Sequence, residues 1–171
     1  MKQTVAVAVL ITLAAGRASA RDAKPEDTWP GFRGHEMSGI AATASVPDRW
    51  STKENVKWAA PIAGHGWSSP IVWGDTVHDT GILTVLDAKT GRQVYKVRVG
   101  GGGQTFSASP IAMGKRVMLL TEEGLTFVLD TGAEYKEIAK NDLGAMSLAS
   151  PAVAGDALYI RTETKLYKIG G

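Results

Sequence analysis

Short apolar runs alternate with turn-forming residues along most of the chain. PIVW, RVMLL, LTFVLD and ALYIRT are rich in Val, Ile, Leu, Phe and Tyr, and each is bounded by a turn signal. Gly74, Gly114 and Gly155 stand where a tight hairpin needs a residue with positive φ. Beyond residue 20, no stretch keeps a 3.6-residue apolar period. The pattern therefore predicts an all-β fold with almost no helix.

Three segments of this pattern repeat. SSPIVWGDTV, ASPIAMGKRV and ASPAVAGDAL align without gaps, and their prolines, Pro70, Pro110 and Pro151, stand 40 and 41 residues apart. This period is that of a four-stranded propeller blade, so the sequence predicts a partial β-propeller of about three four-stranded blades. The predicted units lie near residues 66–103, 104–144 and 145–171.

The first unit is shorter than the other two at one place. Gly124 follows Val117 by seven residues in the second unit, whereas Gly81 follows Val77 by only four in the first. The segment that remains, VHDT, is polar where the others read VMLLT and LYIRT. We interpret residues 78–80 as a seam between two pieces of a longer propeller rather than a genuine strand.

Residues 1–20 predict a signal peptide. Lys2 precedes the apolar run TVAVAVLITLAAG, which is short for a bilayer span, and the triplet ASA at 18–20 suits a signal peptidase. Arg21 is then the first mature residue, with an uncleaved N-terminal anchor as the alternative. We expect an exported protein, periplasmic or extracellular, without an integral membrane segment after cleavage.

Charge and cysteine content narrow the classes of partner. The chain has 19 Lys and Arg against 17 Asp and Glu, and removing Lys2 and Arg17 with the signal leaves 17 of each. Since no Lys/Arg cluster stands out, we expect neither nucleic acid nor an anionic membrane as partner. The absence of cysteine excludes disulfides and leaves no residue for lipid attachment at the cleavage site.

The region before the repeats, residues 21–65, has a different composition. It is rich in Gly, Pro and Ala and largely without period, so we predict an extended N-terminal arm with NVKWAAPI as its one strand. Scattered aromatics in such an arm are expected to dock on apolar surface. They are Trp29, Phe32, Trp50 and Trp58. Between the first and second units, residues 100–103 are all glycine and predict a flexible link.

The sequence resembles a known family at several of these places. WPGFRG in the arm, the NVKW segment that leads into GWSSPIVWGD, and the repeated SP-(x)3-G motif with LDAKTG are similar to secreted proteins with pyrroloquinoline-quinone-like (PQQ-like) propeller repeats. LDAKTGRQVY also resembles the tryptophan-docking motif of quinoprotein propellers, with Tyr95 at the Trp position and a different order around Asp87. In that motif the aromatic ring stacks on the turn of a neighbouring blade.

The resemblance implies a closed propeller, commonly of roughly seven or eight blades. About three units therefore suggest a truncated or internally deleted version, in which the N-terminal part is joined to the last blades. The alternative is a naturally short strand in a chain that assembles with its own copies through open blade edges.

Candidate catalytic chemistry is sparse. A quinoprotein enzyme needs a stacked quinone, a Ca²⁺ ion held by oxygen ligands and a carboxylate base, and no acidic cluster has suitable spacing. We predict no catalytic and no metal-binding residues, name no cofactor-binding residue, and expect PQQ and Ca²⁺ only if the chain derives from a dehydrogenase. The three histidines, in expected loops, are His35, His65 and His78.

Residues that recur with the repeat are interpreted as structural. Aspartates form turns, serines before the prolines mark strand starts, tryptophans around the first proline pack between blades, and Glu122-Glu123 is a solvated pair. These residues are Asp75, Asp87, Asp130 and Asp156; Ser69, Ser109 and Ser150; and Trp67 and Trp73.

The sequence as a whole thus predicts a non-catalytic, exported propeller repeat protein that acts as a protein-interaction scaffold. The alternative is a remnant of a PQQ-dependent alcohol or sugar dehydrogenase. A third hypothesis, a sugar- or polymer-binding propeller, depends on the aromatic residues alone.

Overall fold

The structure, a computed structural model, describes residues 28–40, 46–62, 67–79 and 82–170. Within these ranges helix is limited to short 3₁₀ turns at His35–Met37 and Val99–Gly101. The strands are β1 (Thr28–Trp29), β2 (Ile71–Trp73), β3 (Thr76–Asp79), β4 (Leu83–Asp87), β5 (Gln93–Val97), β6 (Ile111–Met113), β7 (Arg116–Leu120), β8 (Leu125–Asp130), β9 (Glu137–Asp142), β10 (Ala152–Ala154), β11 (Ala157–Arg161) and β12 (Leu166–Ile169).

These strands form three antiparallel sheets, ordered β1-β2-β3-β4-β5, β6-β7-β8-β9 and β10-β11-β12. We call β2–β5 blade 1, β6–β9 blade 2 and β10–β12 blade 3. Each blade is a meander of consecutive strands, so the chain forms a partial β-propeller, as the repeat predicts. One detail differs from the prediction: among the described residues, blade 3 has three strands rather than four.

Two residues of the segment interpreted as a seam, His78 and Asp79, belong to a strand. His78 belongs to β3 and pairs with Ile71 of β2 on one side and with Val85 of β4 on the other. Because ladders on both sides hold it, this part of blade 1 is continuous sheet. The prediction of a seam in place of a strand is therefore wrong.

The shortening of blade 1 lies instead in the hairpin loop. The last recorded pair between β3 and β4, Asp79 with Thr84, encloses four residues, whereas the matching pair of blade 2, Leu119 with Phe127, encloses seven. Residues 80–81 lie outside the described residues. The three missing residues therefore shorten a loop and leave the ladder register unchanged, and an internal deletion stays a prediction.

The larger apolar core fills the space between blades 1 and 2. Cross-strand pairing puts alternate residues of each strand on one face, and these faces meet in a cluster with almost no solvent exposure. Its buried members are Ile71, Leu83, Val85, Val99, Phe106, Ala112, Val117, Leu119, Phe127 and Leu129. A smaller cluster joins blades 2 and 3, with Ala108, Leu120 and Ile160 buried at its centre.

The arm lies along the first strands of the blades. Trp29 of β1 pairs with Val72 of β2, the Pro30 carbonyl accepts a hydrogen bond of 2.7 Å from the Ala112 amide in β6, and the turn at His35–Met37 contacts β10. The arm therefore touches all three blades at the same edge.

The strand predicted at NVKWAAPI does not form. Residues 55–62 belong to no sheet, and the strand of the arm is β1. Trp58 holds this segment instead: its indole N–H donates to the Ala88 carbonyl at 3.0 Å, and its ring lies against Gly91. A side-chain contact with the turn between β4 and β5 thus replaces ladder hydrogen bonds.

Candidate interaction surface

The serines before the repeated prolines connect one blade to the next. The Ser69 amide donates to the Ser109 hydroxyl oxygen at 2.9 Å, and the Ser109 amide donates to the Ser150 hydroxyl oxygen at 2.8 Å. The first strand of each blade begins two residues after its serine, and the hydroxyls of Ser109 and Ser150 also link neighbouring blades.

Loops from blades 2 and 3 meet at the hairpin between β7 and β8. The Glu122 amide donates to the Thr105 carbonyl at 2.8 Å, and its carbonyl accepts from the Ser147 amide at 2.9 Å. The Glu122 carboxylate also accepts a hydrogen bond from the Ser107 hydroxyl. Glu122 is therefore a connector between loops, and its interpretation as part of a solvated pair is wrong.

Blade 3 repeats part of this arrangement. The Glu163 amide donates to the Met146 carbonyl at 2.8 Å, as Glu122 does to Thr105 one repeat earlier. Leu148 stands at the position that Ser107 occupies in blade 2. We call the surface formed by residues 67–70, 104–110, 121–124, 145–151 and 162–165 the loop face. A cavity of about 210 Å³ opens there, lined by Met146, Leu148, Ala149, Arg161, Thr162 and Glu163.

Large apolar side chains are exposed on the loop face. Trp67 is 86% exposed, Leu148 57% and Met146 47%. Trp67 and Leu148 occupy the same repeat position, three residues before the prolines. The prediction that Trp67 packs between blades is wrong, whereas Trp73 does pack against the core of blades 1 and 2. Met146 and Leu148 line the same cavity, and adjacent exposed apolar residues mark interaction sites more often than isolated ones do.

The aromatics of the arm behave in two ways. Trp58 docks on blade 1 as predicted, and Trp29, half-buried, lies over Gly34. Phe32 and Trp50 are exposed, so the prediction of docking is wrong for these two.

The segment that resembles the tryptophan-docking motif places its aromatic residue between two blades. Tyr95, at the Trp position, packs against the core between blades 1 and 2, and burial raises its pKa to about 12, with smaller contributions from Tyr135 and Asp130 of blade 2. Tyr95 of blade 1 therefore lies near Asp130 and Tyr135 of blade 2.

The recurring aspartates act in turns. The Asp87 Oδ1 atom accepts hydrogen bonds from the Thr90 hydroxyl at 2.6 Å and the Thr90 amide at 2.8 Å, and these bonds hold the pKa of Asp87 below its usual value. Asp130 Oδ1 accepts from the Gly132 amide at 3.0 Å, and Asp75 forms an exposed ion pair with Lys89. The interpretation as turn formers is confirmed for Asp87 and Asp130.

One histidine is placed differently from the prediction. His78, expected in a loop, lies in β3 with 1% of its surface exposed, and burial lowers its pKa to about 4. Its Nε2 is 3.0 Å from the Thr76 hydroxyl, while Nδ1 has no hydrogen-bond partner among the described residues. His35 lies in the arm, 2.8 Å from the Thr28 hydroxyl, and His65 is outside the described residues.

Metal-binding clusters and membrane-spanning helices are both absent from the described residues. No group of three or more His, Cys, Asp or Glu side chains is arranged to hold a metal ion. No helix there has both the length and the apolar character needed to cross a membrane.

Comparison with known proteins shows similarity to solved structures. No family model matches the sequence, and no curated protein matches it either. Among solved structures, the crystal structure of BamB from Moraxella catarrhalis is similar at a TM-score of 0.47 and 12% sequence identity. The alignment covers 55% of this chain and 28% of that chain, so the chain matches less than a third of the BamB length.

Proposed function

We propose that this chain is an exported, non-catalytic protein of the PQQ-like propeller type that binds a protein partner through the loop face. The observation that carries the proposal is the group of exposed apolar side chains around the cavity at Met146 and Leu148. They project from loops that backbone hydrogen bonds hold between blades. A rigid scaffold with exposed apolar loop residues suits recognition of another protein.

Backbone contacts make the loop face a preformed surface. Glu122 joins loops of blades 2 and 3, and Glu163 with Ser147 fixes the loop that carries Leu148. Because these loops are already ordered by hydrogen bonds, binding would order fewer side chains and backbone segments. Trp67 and Leu148 then serve as apolar anchors, the role that large exposed side chains play in interface centres.

A pair of loop-face variants tests this proposal. Trp67→Ser and Leu148→Ser remove the anchors, while Val94→Ser, a partly exposed position in β5 of blade 1, is the matched control. The tagged chain is isolated from its source organism after crosslinking, and complexes are separated by size and identified. We expect a complex of defined stoichiometry that persists in Val94→Ser and is lost in both loop-face variants.

Two results would contradict the proposal. A complex that is unaffected by both loop-face substitutions would place the binding surface elsewhere. A shift in melting temperature on adding PQQ with Ca²⁺, together with dye reduction in the presence of an alcohol or sugar, would favour the dehydrogenase hypothesis instead.

A further inference from the structure

Met146 exposes its thioether on the loop face. Its side chain is 47% exposed, whereas Met113 and Met118, the other methionines whose side chains the structure describes, are half-buried in β6 and β7. Peroxides oxidise methionine sulfur to the sulfoxide, and access of the oxidant to the sulfur limits the reaction. Met146 is therefore the described methionine that is most open to this chemistry.

The exposure of Met146 belongs to its position in the repeat. Thr105 occupies the same position of blade 2, five residues before the repeated proline. The carbonyl of each residue accepts a hydrogen bond of 2.8 Å from a glutamate amide, Glu122 in blade 2 and Glu163 in blade 3. Thr105 is also exposed, although blade 3 packs against blade 2. The loop therefore directs this side chain to solvent even in a blade that has a neighbour on both sides.

Hydrogen bonds hold the backbone around Met146 in place. The Ser147 amide donates to the Glu122 carbonyl at 2.9 Å, and the Ser147 hydroxyl donates to the Arg161 carbonyl at 2.6 Å. None of these bonds uses the Met146 thioether. A chemical change at the sulfur should therefore leave the loop where it is and alter only the surface that the loop presents.

The thioether supplies apolar surface to the loop face. Met146 lines the same cavity as Leu148. A sulfoxide places a polar, hydrogen-bond-accepting oxygen there, and covering that oxygen with an apolar side chain of a partner costs free energy. Oxidation of Met146 therefore opposes apolar contacts of the kind proposed for the loop face.

We propose that Met146 is an oxidation site that switches the loop face from an apolar to a polar surface, with a peroxide as the oxidant. The Met146 Sδ atom attacks one oxygen of hydrogen peroxide and the O–O bond breaks. The sulfur is oxidised by two electrons and keeps that oxygen, and the other oxygen leaves as water. Methionine sulfoxide reductases reverse the reaction. The switch rests on the proposed function, whereas the oxidation itself does not.

Peptide mapping of the full chain tests the oxidation site. Trypsin places each of these methionines on its own peptide, Met113 on residues 99–115, Met118 on 117–136 and Met146 on 141–161. After brief treatment of the folded chain with dilute hydrogen peroxide, mass spectrometry should show that peptide 141–161 gains an oxygen roughly fivefold faster than the other two. In the urea-unfolded chain the three rates should be equal, because no sulfur is shielded.

Variants of Met146 test the switch on the partner recovered in the crosslinking experiment. The purified chain is treated with peroxide before it is mixed with this partner, and complex yield should fall roughly tenfold. Met146→Leu keeps an apolar side chain without sulfur, so its complex should survive the treatment. Met146→Gln should lose the complex without peroxide, because its side chain is polar. Met118→Leu is the matched control and should stay sensitive to peroxide.

Two further measurements complete the test. Treating the oxidised chain with a methionine sulfoxide reductase should restore the complex. Thermal melts of the oxidised and untreated chains should agree, because the hydrogen bonds of the loop backbone are kept. A lower melting temperature after oxidation would show that the loop unfolds and would overturn a switch of the surface alone.

Other results would also overturn the proposal. Equal oxidation rates of the three peptides in the folded chain would remove the oxidation site. Undiminished binding after full oxidation of peptide 141–161, or equal peroxide sensitivity of Met146→Leu, would remove the switch. If Trp67→Ser and Leu148→Ser leave the complex intact while peptide 141–161 is oxidised first, the proposed function and its switch fail and the oxidation site stands.

Discussion

The contact between blades 1 and 2 differs from the contact between blades 2 and 3. The first is a broad apolar cluster that includes Phe127, Leu119 and Ile71, whereas among the described residues the second buries Ala108, Leu120 and Ile160. Backbone and serine hydrogen bonds supplement the second contact. Blades 1 and 2 are therefore held mainly by apolar burial, while blade 3 depends more on polar loop contacts.

The largest expected effect comes from removing the centre of the first contact. Phe127→Ala should lower the free energy of unfolding by about 4 kcal/mol and melt blades 1 and 2 together, because Phe127 is fully buried. Ile160→Ala should cost about 3 kcal/mol and release mainly blade 3. Chemical denaturation gives the loss of stability in each variant, and hydrogen exchange shows which blades unfold. If all three blades unfolded together in both variants, the two contacts would not differ in the way described.

A pH effect of similar size is expected from His78, which lies in the first contact. Burial lowers its pKa to about 4 from 6.5, so between these values the unfolded chain binds a proton that the folded chain does not. The free energy of unfolding should therefore fall as pH falls through this window, by about 3 kcal/mol at 1.36 kcal/mol per pH unit.

Thermal melts between pH 8 and pH 4 measure this effect. His78→Met, which copies the residue at the same position of blade 2, should remove that part of the pH dependence. His35→Gln should retain it. An unchanged pH profile in His78→Met would show that other groups cause the acid sensitivity.

Two glycines test how much the loop contacts between blades 2 and 3 contribute to stability. Gly124 has φ +91°, and an added Cβ would collide with the Ala145 carbonyl oxygen, whereas Gly114 has φ +55° and open space around it. Gly124→Ala should therefore destabilise by about 3 kcal/mol and Gly114→Ala by about 1 kcal/mol. Urea denaturation compares them; similar losses would mean that the backbone of residue 145 moves freely.

The smallest expected effect concerns the serine hydrogen bonds shared by both contacts. Ser109→Ala and Ser150→Ala each remove the acceptor of a neighbouring amide and should cost about 1 kcal/mol. Ser69→Ala should cost less than about 0.5 kcal/mol, since among the described residues no preceding serine donates to it. Equal losses at all three positions would argue against a role for these hydrogen bonds.

The sequence predicts the repeating parts of the fold well. Strand alternation, the prolines at a period of 40 and 41 residues, and Asp87 in its turn are local or periodic features, and the structure confirms them. The sequence predicts the candidate surface less well. Trp67 and Trp73 flank the same short segment, yet one is exposed and the other packs against the core.

The remaining errors share a physical cause. The seam is predicted because the first unit is three residues short and VHDT is polar, but ladders on both sides of β3 hold His78 in place. NVKWAAPI has the composition of a strand, but Trp58 binds the turn at Gly91 and leaves the segment unpaired. In both cases contacts with distant residues outweigh local preference.

The sequence by itself therefore determined the all-β class, the blade period and the three-residue shortening of the first unit, because side-chain alternation and turn chemistry act over a few residues. Only the tertiary structure decided that the described pairs of β3 keep their register and that the arm contacts three blades. These features depend on which strands and loops meet across the chain. Such pairings follow from packing and backbone hydrogen bonding between segments, not from the residues of one segment alone.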